Sequence, residues 1–167
     1  MTTLWLEPKL ETILSLVESL GMQLQEMLGK SIDNEYAETF GYYDAAEHIT
    51  GLAFVACQTY IATVCGEIGK DKGDSLLKGP MHSGGLRKAQ IINHAANYWK
   101  HNNEWVLTEP DRRREAIEKA FGSVGFSVIS DYPLSGILSE LSDPRTASLA
   151  AVTDILREWK DAILGGA

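Results

Sequence analysis

The chain has 167 residues, a length typical of one domain that buries about two-thirds of its unfolded surface, so we expect a single domain over residues 1–167. Hydrophobic residues make up 44% and charged residues 23%, proportions that exclude an intrinsically disordered chain. The formal net charge of −8 disfavours DNA as a partner, because any nucleic-acid contact requires a local basic patch on a molecule that repels polyanions.

The first 68 residues predict two long helices. From residue 8 to about residue 29, apolar residues recur at three- and four-residue intervals, with Pro8 suited to a first turn and Gly29 to a stop. Residues 30–42 contain turn-forming residues and predict a loop that can hold a short helical turn. A second helix, opened by Asp44 and ending near residue 68, is apolar on nearly all sides, as expected of the central helix of a bundle.

The middle of the chain combines a long connection with a third helix. Residues 69–85 contain five glycines, one proline and three lysines, which predict a long mobile connection. A helix follows over about residues 86–105. The connection ends in a glycine-rich turn whose backbone amides precede Arg87, but it lacks the order of residues of a phosphate-binding P-loop. We interpret that turn as an ordinary helix cap.

The last third of the chain is also mainly helical. Glu109-Pro110-Asp111 opens a fourth helix that ends near residue 122. Residues 122–142 mix a short strand-like run with a helical pattern, and we interpret them mostly as helix and loop. Ser142-Asp143-Pro144 opens a last helix that ends at residue 165. The sequence therefore predicts an all-α, up-and-down bundle of five or six helices.

The cysteines and the apolar runs indicate a soluble cytoplasmic protein. Cys57 and Cys65 lie eight residues apart on one predicted helix, about 12 Å along its axis, which is too far for a disulfide. Free buried thiols are typical of a reduced compartment. The first residues lack the basic region and apolar run of a signal peptide, and the most apolar stretch, residues 51–64, is shorter than a membrane span. We expect no membrane partner.

The helix over residues 86–105 carries a polar stripe where apolar side chains are usual. Its members alternate three and four residues apart and are Arg87, Gln90, His94, Asn97, His101 and Glu104. At roughly 100° per residue they share about a third of the helix circumference. Arginine, histidine and asparagine are suited to binding phosphates, transferring protons and directing hydrogen bonds, which favours a functional face over a merely solvated one.

The densest part of this stripe contains Asn97, Lys100, His101 and Glu104. Lys100 and Glu104 also suit a simple ion pair one helical turn apart, worth a few tenths of a kcal/mol. The alternative interpretation of the whole stripe is a polar surface that pairs with another helix.

Two stretches resemble the motif of the HEPN superfamily, small helical bundles that are often RNases and in which four to six residues separate an Arg from a His on one helix. Arg87 and His94 have six residues between them, but Lys88 stands where the family commonly has Asn, Asp or His. The run from Ala96 to His101 matches the Arg-Asn-x-x-x-His form except that Ala96 replaces the Arg. The resemblance covers about two helices.

The HEPN resemblance implies a homodimer in which these helices face each other and form a cleft for RNA. His94 or His101 is then the general base on a ribose 2′-hydroxyl, Arg87 or Lys100 stabilises the phosphorane, and Asn97 orients the phosphate or the histidine. Since Arg87 and His101 are about 21 Å apart along the helix, the two placements are alternatives. The resemblance thus implies a metal-independent RNase, or a degenerate RNA-associated member, of a toxin–antitoxin or defence system.

The chain offers no pattern for a metal or cofactor, and we expect neither. No Glu-x-x-His or His-x-x-x-His pair occurs in it. The competing function is a non-catalytic interaction or scaffold domain whose polar stripe binds a protein partner, and the net charge of −8 favours it over an RNA-binding function.

Overall fold

The computed structural model describes residues 6–30, 33–142 and 146–165, and within them the fold is all-α. Its helices are α1 (Leu6–Lys30), α2 (Asn34–Thr39), α3 (Tyr42–Ile68), α4 (Lys72–Leu76), α5 (Lys88–His101), α6 (Arg112–Ser123), α7 (Pro133–Leu141) and α8 (Leu149–Leu164). A 3-10 turn over Asn102–Glu104 continues α5. The predicted all-α bundle is confirmed. The described part of the chain holds eight α-helices instead of five or six, because α2 and α4 are short helices in segments predicted as loops.

Helix α3 lies at the centre of the bundle. It packs along α1 and α5 and also contacts α7 and α8. Its most apolar window has a mean hydropathy of 1.5, so by length and composition the helix could cross a membrane, but 61% of that window is buried inside the fold. The apolar residues all round α3 are those of a central bundle helix covered from several sides.

Gly51 allows α5 to approach α3 closely. A Cβ atom at this position would overlap the Trp99 ring, so the indole of α5 lies directly on the glycine. His48, one turn earlier on α3, packs edge-on against the same ring with centroids 4.7 Å apart. This contact fixes the rotation of α5 about its axis and therefore the direction of its polar side chains.

Residues 69–87 form a compact segment held by α8. The Asp71 side chain caps α4 by accepting a hydrogen bond from the Asp74 amide. The Trp159 indole of α8 donates to the Ser75 carbonyl at 2.9 Å, and Gly79, with a positive φ of 76°, lies against Trp159. A segment predicted as a long loop thus contains a helix and a turn that contact the core.

Some helix ends differ from the sequence prediction. Gly41, with φ of 67°, precedes α3 as its N-cap, and Asp44 lies within the first turn instead of capping it. Ser142 ends α7, where its hydroxyl donates to the Leu138 carbonyl, and α8 begins at Leu149. Asp143 and Pro144 lie outside the described residues. The strand-like run near residue 128 forms turns instead of a strand.

Both cysteines are buried and free on α3. Burial raises the pKa of Cys57 to about 12. A thiol in such surroundings stays protonated at neutral pH and behaves as a small apolar side chain.

Candidate functional site

Arg87, at the start of the polar stripe, is hydrogen-bonded to the turn that precedes α5 and to the first turn of that helix. Its guanidinium Nη1 donates to the Gly79 carbonyl at 2.7 Å, and its backbone amide donates to Gln90 Oε1 at 2.9 Å. These bonds attach α5 to the turn that precedes it. Arg87 and Gln90 therefore support the helix start.

The turn before α5 uses its backbone amides within the chain. The Gly84 amide donates to His82 Nδ1, the Gly85 amide to the His82 carbonyl and the Lys88 amide to the Pro80 carbonyl. These three donors are therefore engaged. The geometry agrees with an ordinary cap.

His94 is mostly buried and does not contact Arg87 through any hydrogen bond or ion pair in the described parts of the chain. Its Nδ1 is enclosed and has no hydrogen-bond partner there. Burial lowers the pKa of His94, so the ring is neutral at pH 7. The structure does not assemble the Arg87–His94 placement within one chain.

A hydrogen-bonded network does assemble around Gln58 of α3. Gln58 Nε2 donates to Asn93 Oδ1 and to Asn97 Oδ1, each at 2.9 Å. Gln58 Oε1 accepts from Lys100 Nζ at 2.6 Å. We call Gln58, Asn93, Asn97 and Lys100 the amide cluster.

The ammonium group of Lys100 fixes the direction of every hydrogen bond in the amide cluster. Since an ammonium only donates, it binds the oxygen of Gln58 and turns the Gln58 NH2 group toward α5. The oxygens of Asn93 and Asn97 accept from that NH2 group. Each bond in such a chain polarises the next, which makes the Asn97 NH2 group a stronger donor to a ligand.

His101 lies one helical turn after Asn97 on the same face of α5. Its Nδ1 is 3.2 Å from Glu104 Oε1. A carboxylate accepts hydrogen bonds, so of the two imidazole tautomers it favours the one with hydrogen on Nδ1 and a lone pair on Nε2. The His101 side chain is 27% exposed, which suits a base that must reach a ligand from solvent.

A shallow cleft of about 370 Å³ adjoins the amide cluster. It is lined by Gln58, Thr59, Ala62, Thr63 and Lys72. Lys72 comes from α4, and burial together with the nearby Lys100 ammonium lowers its pKa. The cleft therefore places Lys72 of α4 beside Gln58, which in turn binds Lys100 of α5.

Sequence reasoning identified Asn97, Lys100 and His101 but missed Gln58, Asn93 and Lys72. Gln58 had a visible signal, since it interrupts an otherwise apolar helix. Asn93 also had one, because it lies one turn before Asn97. Lys72 had none, because only the folded chain brings α4 next to this part of α3.

Comparison with known proteins gives no relative for this arrangement. No protein-family model matches the chain, and no curated protein or solved structure matches it at a significant level. Within the described ranges, no group of three or more His, Cys, Asp and Glu side chains is placed to hold a metal ion. The function is therefore argued from the geometry around Gln58 and His101.

Proposed function

We propose that this protein is a HEPN-like, metal-independent ribonuclease that acts at Asn97, Lys100 and His101. The observation that supports the proposal is the amide cluster. It turns a lysine ammonium and an asparagine NH2 group into neighbouring anion donors, one helical turn from a histidine in a basic tautomer. A proton acceptor beside two anion donors is the set that attack of a ribose 2′-hydroxyl on phosphorus requires.

In the proposed reaction, His101 Nε2 removes the proton of the 2′-hydroxyl as its oxygen bonds to the adjacent phosphorus. The bond from phosphorus to the 5′-oxygen breaks, and water protonates that leaving oxygen. The products are a 2′,3′-cyclic phosphate and a 5′-hydroxyl end. Lys100 and Asn97 stabilise the additional negative charge of the phosphorane.

The same proposal includes a homodimer in the cytoplasm, with the α5 helices of two copies facing each other across an RNA cleft. It places the protein among RNA-associated toxin–antitoxin or defence proteins. Sedimentation of the purified protein measures whether it forms a homodimer.

The test is incubation of the purified protein with a mixed RNA pool and a chelator. We expect cleavage that falls about 10²–10⁴-fold in His101→Ala, the usual contribution of a general base. His94→Ala and His48→Gln, the matched histidine controls, are expected to retain activity. Cleavage lost in His94→Ala but retained in His101→Ala would transfer the proposal to the Arg87–His94 placement.

A second candidate is a non-catalytic interaction domain. The net charge of −8 favours this function over RNA binding. The amide cluster also favours it, because the cluster joins α3 to α5 within the chain as a purely structural polar network would. Under this function the folded protein cleaves no RNA, and substitution of His94 or His101 alters only its assembly with a partner. The cleavage assay separates the two candidates.

A further inference from the structure

We propose that the cleft beside the amide cluster is a second phosphate site, in which Lys72 binds the phosphodiester group next to the one that Lys100 binds at the cleavage site. The inference rests on the proposed function for RNA as the ligand. It adds Lys72 of α4 to the substrate-binding surface, whereas the HEPN-like motif lies on α5.

The charges around Lys72 favour an anion. Gln58 lines the cleft together with Lys72, and its Oε1 accepts from Lys100 Nζ at 2.6 Å, so the two ammonium groups lie close enough to repel each other. Among the described residues no carboxylate forms an ion pair with Lys72 or with Lys100. Two successive phosphates, one at each lysine, would replace this repulsion with two attractive contacts.

A neighbouring cleft shows the contrasting arrangement. Lys70 and Lys78 line a cleft of about 250 Å³ together with Asp71 and Asp74. Lys70 also donates to the Ile163 carbonyl at 2.7 Å. The lysines of that cleft already have negative groups beside them, which leaves the Lys72 cleft as the better anion site.

The shape of the Lys72 cleft suits a chain of phosphates better than a small metabolite. It is shallow and open, whereas small-molecule sites enclose most of their ligand. Its lining is polar, with the Gln58 amide and the Thr63 hydroxyl beside Lys72. A groove that follows a backbone with a few cations and hydroxyls is typical of single-strand binding.

The test measures binding of a short 2′-O-methyl RNA oligonucleotide, which lacks the attacking hydroxyl and stays intact. The logarithm of the association constant is plotted against the logarithm of salt concentration. Each phosphate contact contributes about 0.7 to the slope for a single strand, so Lys72→Ala should reduce the slope by about 0.7. Lys72→Arg, which keeps the charge, should retain the slope.

Lys119→Ala is the matched control, because it removes one exposed lysine of α6 that does not line the cleft. Circular dichroism confirms that each variant folds.

An unchanged slope in Lys72→Ala overturns the second phosphate site, even if the protein cleaves RNA. A slope that falls in Lys72→Ala, from a protein that cleaves no RNA, supports the phosphate site and overturns the ribonuclease. Failure of the wild-type protein to bind the oligonucleotide overturns the phosphate site.

Discussion

At the scale of single residues, His94 and His101 show how environment separates two identical side chains on one helix. His94 is partly buried, with an enclosed, unpartnered Nδ1 and a lowered pKa. His101 is partly exposed and has a carboxylate beside its Nδ1. Both were candidates from sequence because helical spacing alone assigns them to the same face, whereas burial depends on the neighbouring helices.

The partial burial of the His94 ring should make the stability of the protein decrease in mild acid. Because its pKa is lowered in the folded state, the unfolded chain binds the proton first as the pH falls below about 6.5. The contribution of His94 to the free energy of unfolding has its full value above that pH. Below it, the contribution decreases by at most about 1.4 kcal/mol per pH unit and becomes constant below the folded-state pKa. Urea unfolding from neutral to mildly acidic pH measures this decrease.

His94→Leu is the comparison for that experiment. The unfolding free energy of the wild-type protein minus that of the variant should decrease as the pH falls. Parallel curves for the two proteins would show that His94 gains its proton as easily in the folded state as in the unfolded state.

At the scale of elements, the contact between Gly51 and Trp99 sets the packing of α5 on α3. Gly51→Ala should destabilise the fold by about 1–3 kcal/mol, because the added methyl group overlaps a ring in a tightly packed interface. Gly66→Ala, on the same helix with nothing near its Cβ, should stabilise the fold by up to about 1 kcal/mol through helix propensity. Thermal unfolding of both variants measures these opposite signs.

A stabilised Gly51→Ala protein would contradict the close approach of the two helices. The pair of substitutions is informative because both remove a glycine from α3, Gly51 where Trp99 packs on it and Gly66 in the last turn where nothing lies near its Cβ.

The long helices were predictable from sequence because their apolar residues repeat with the helical period. The short helices α2 and α4 were not, since helices of this length depend on tertiary contacts such as that between Trp159 and Ser75. The same division applies to the candidate site. Asn97 and His101 share one helix and were found by spacing, while Gln58 binds Asn97 from a distant part of the sequence.

At the scale of the whole molecule, the C-terminal helix holds the segment that carries Lys72. The fully buried Trp159 donates to the Ser75 carbonyl of α4 and packs against Gly79. Helix α8 therefore supports one wall of the cleft, although it lies far from Lys72 in sequence.

Trp159→Phe tests this support. Phenylalanine keeps an aromatic ring but removes the indole donor, which leaves the Ser75 carbonyl without that bond and should lower the unfolding free energy by about 1–3 kcal/mol. Denaturant unfolding measures the loss, and hydrogen exchange of the α4 amides should increase more than that of α1. Equal increases in both helices would indicate that Trp159 stabilises the bundle without a particular effect on α4.

The position of the two cysteines has a consequence for following the opening of the molecule over time. Because Cys57 and Cys65 are enclosed on the central helix, a thiol-specific reagent reaches them only after α3 separates from its neighbours. The rate of labelling therefore follows conformational opening and does not report on surface chemistry. The wild-type chain therefore contains thiols whose labelling rate measures unfolding, and no labelling site has to be engineered.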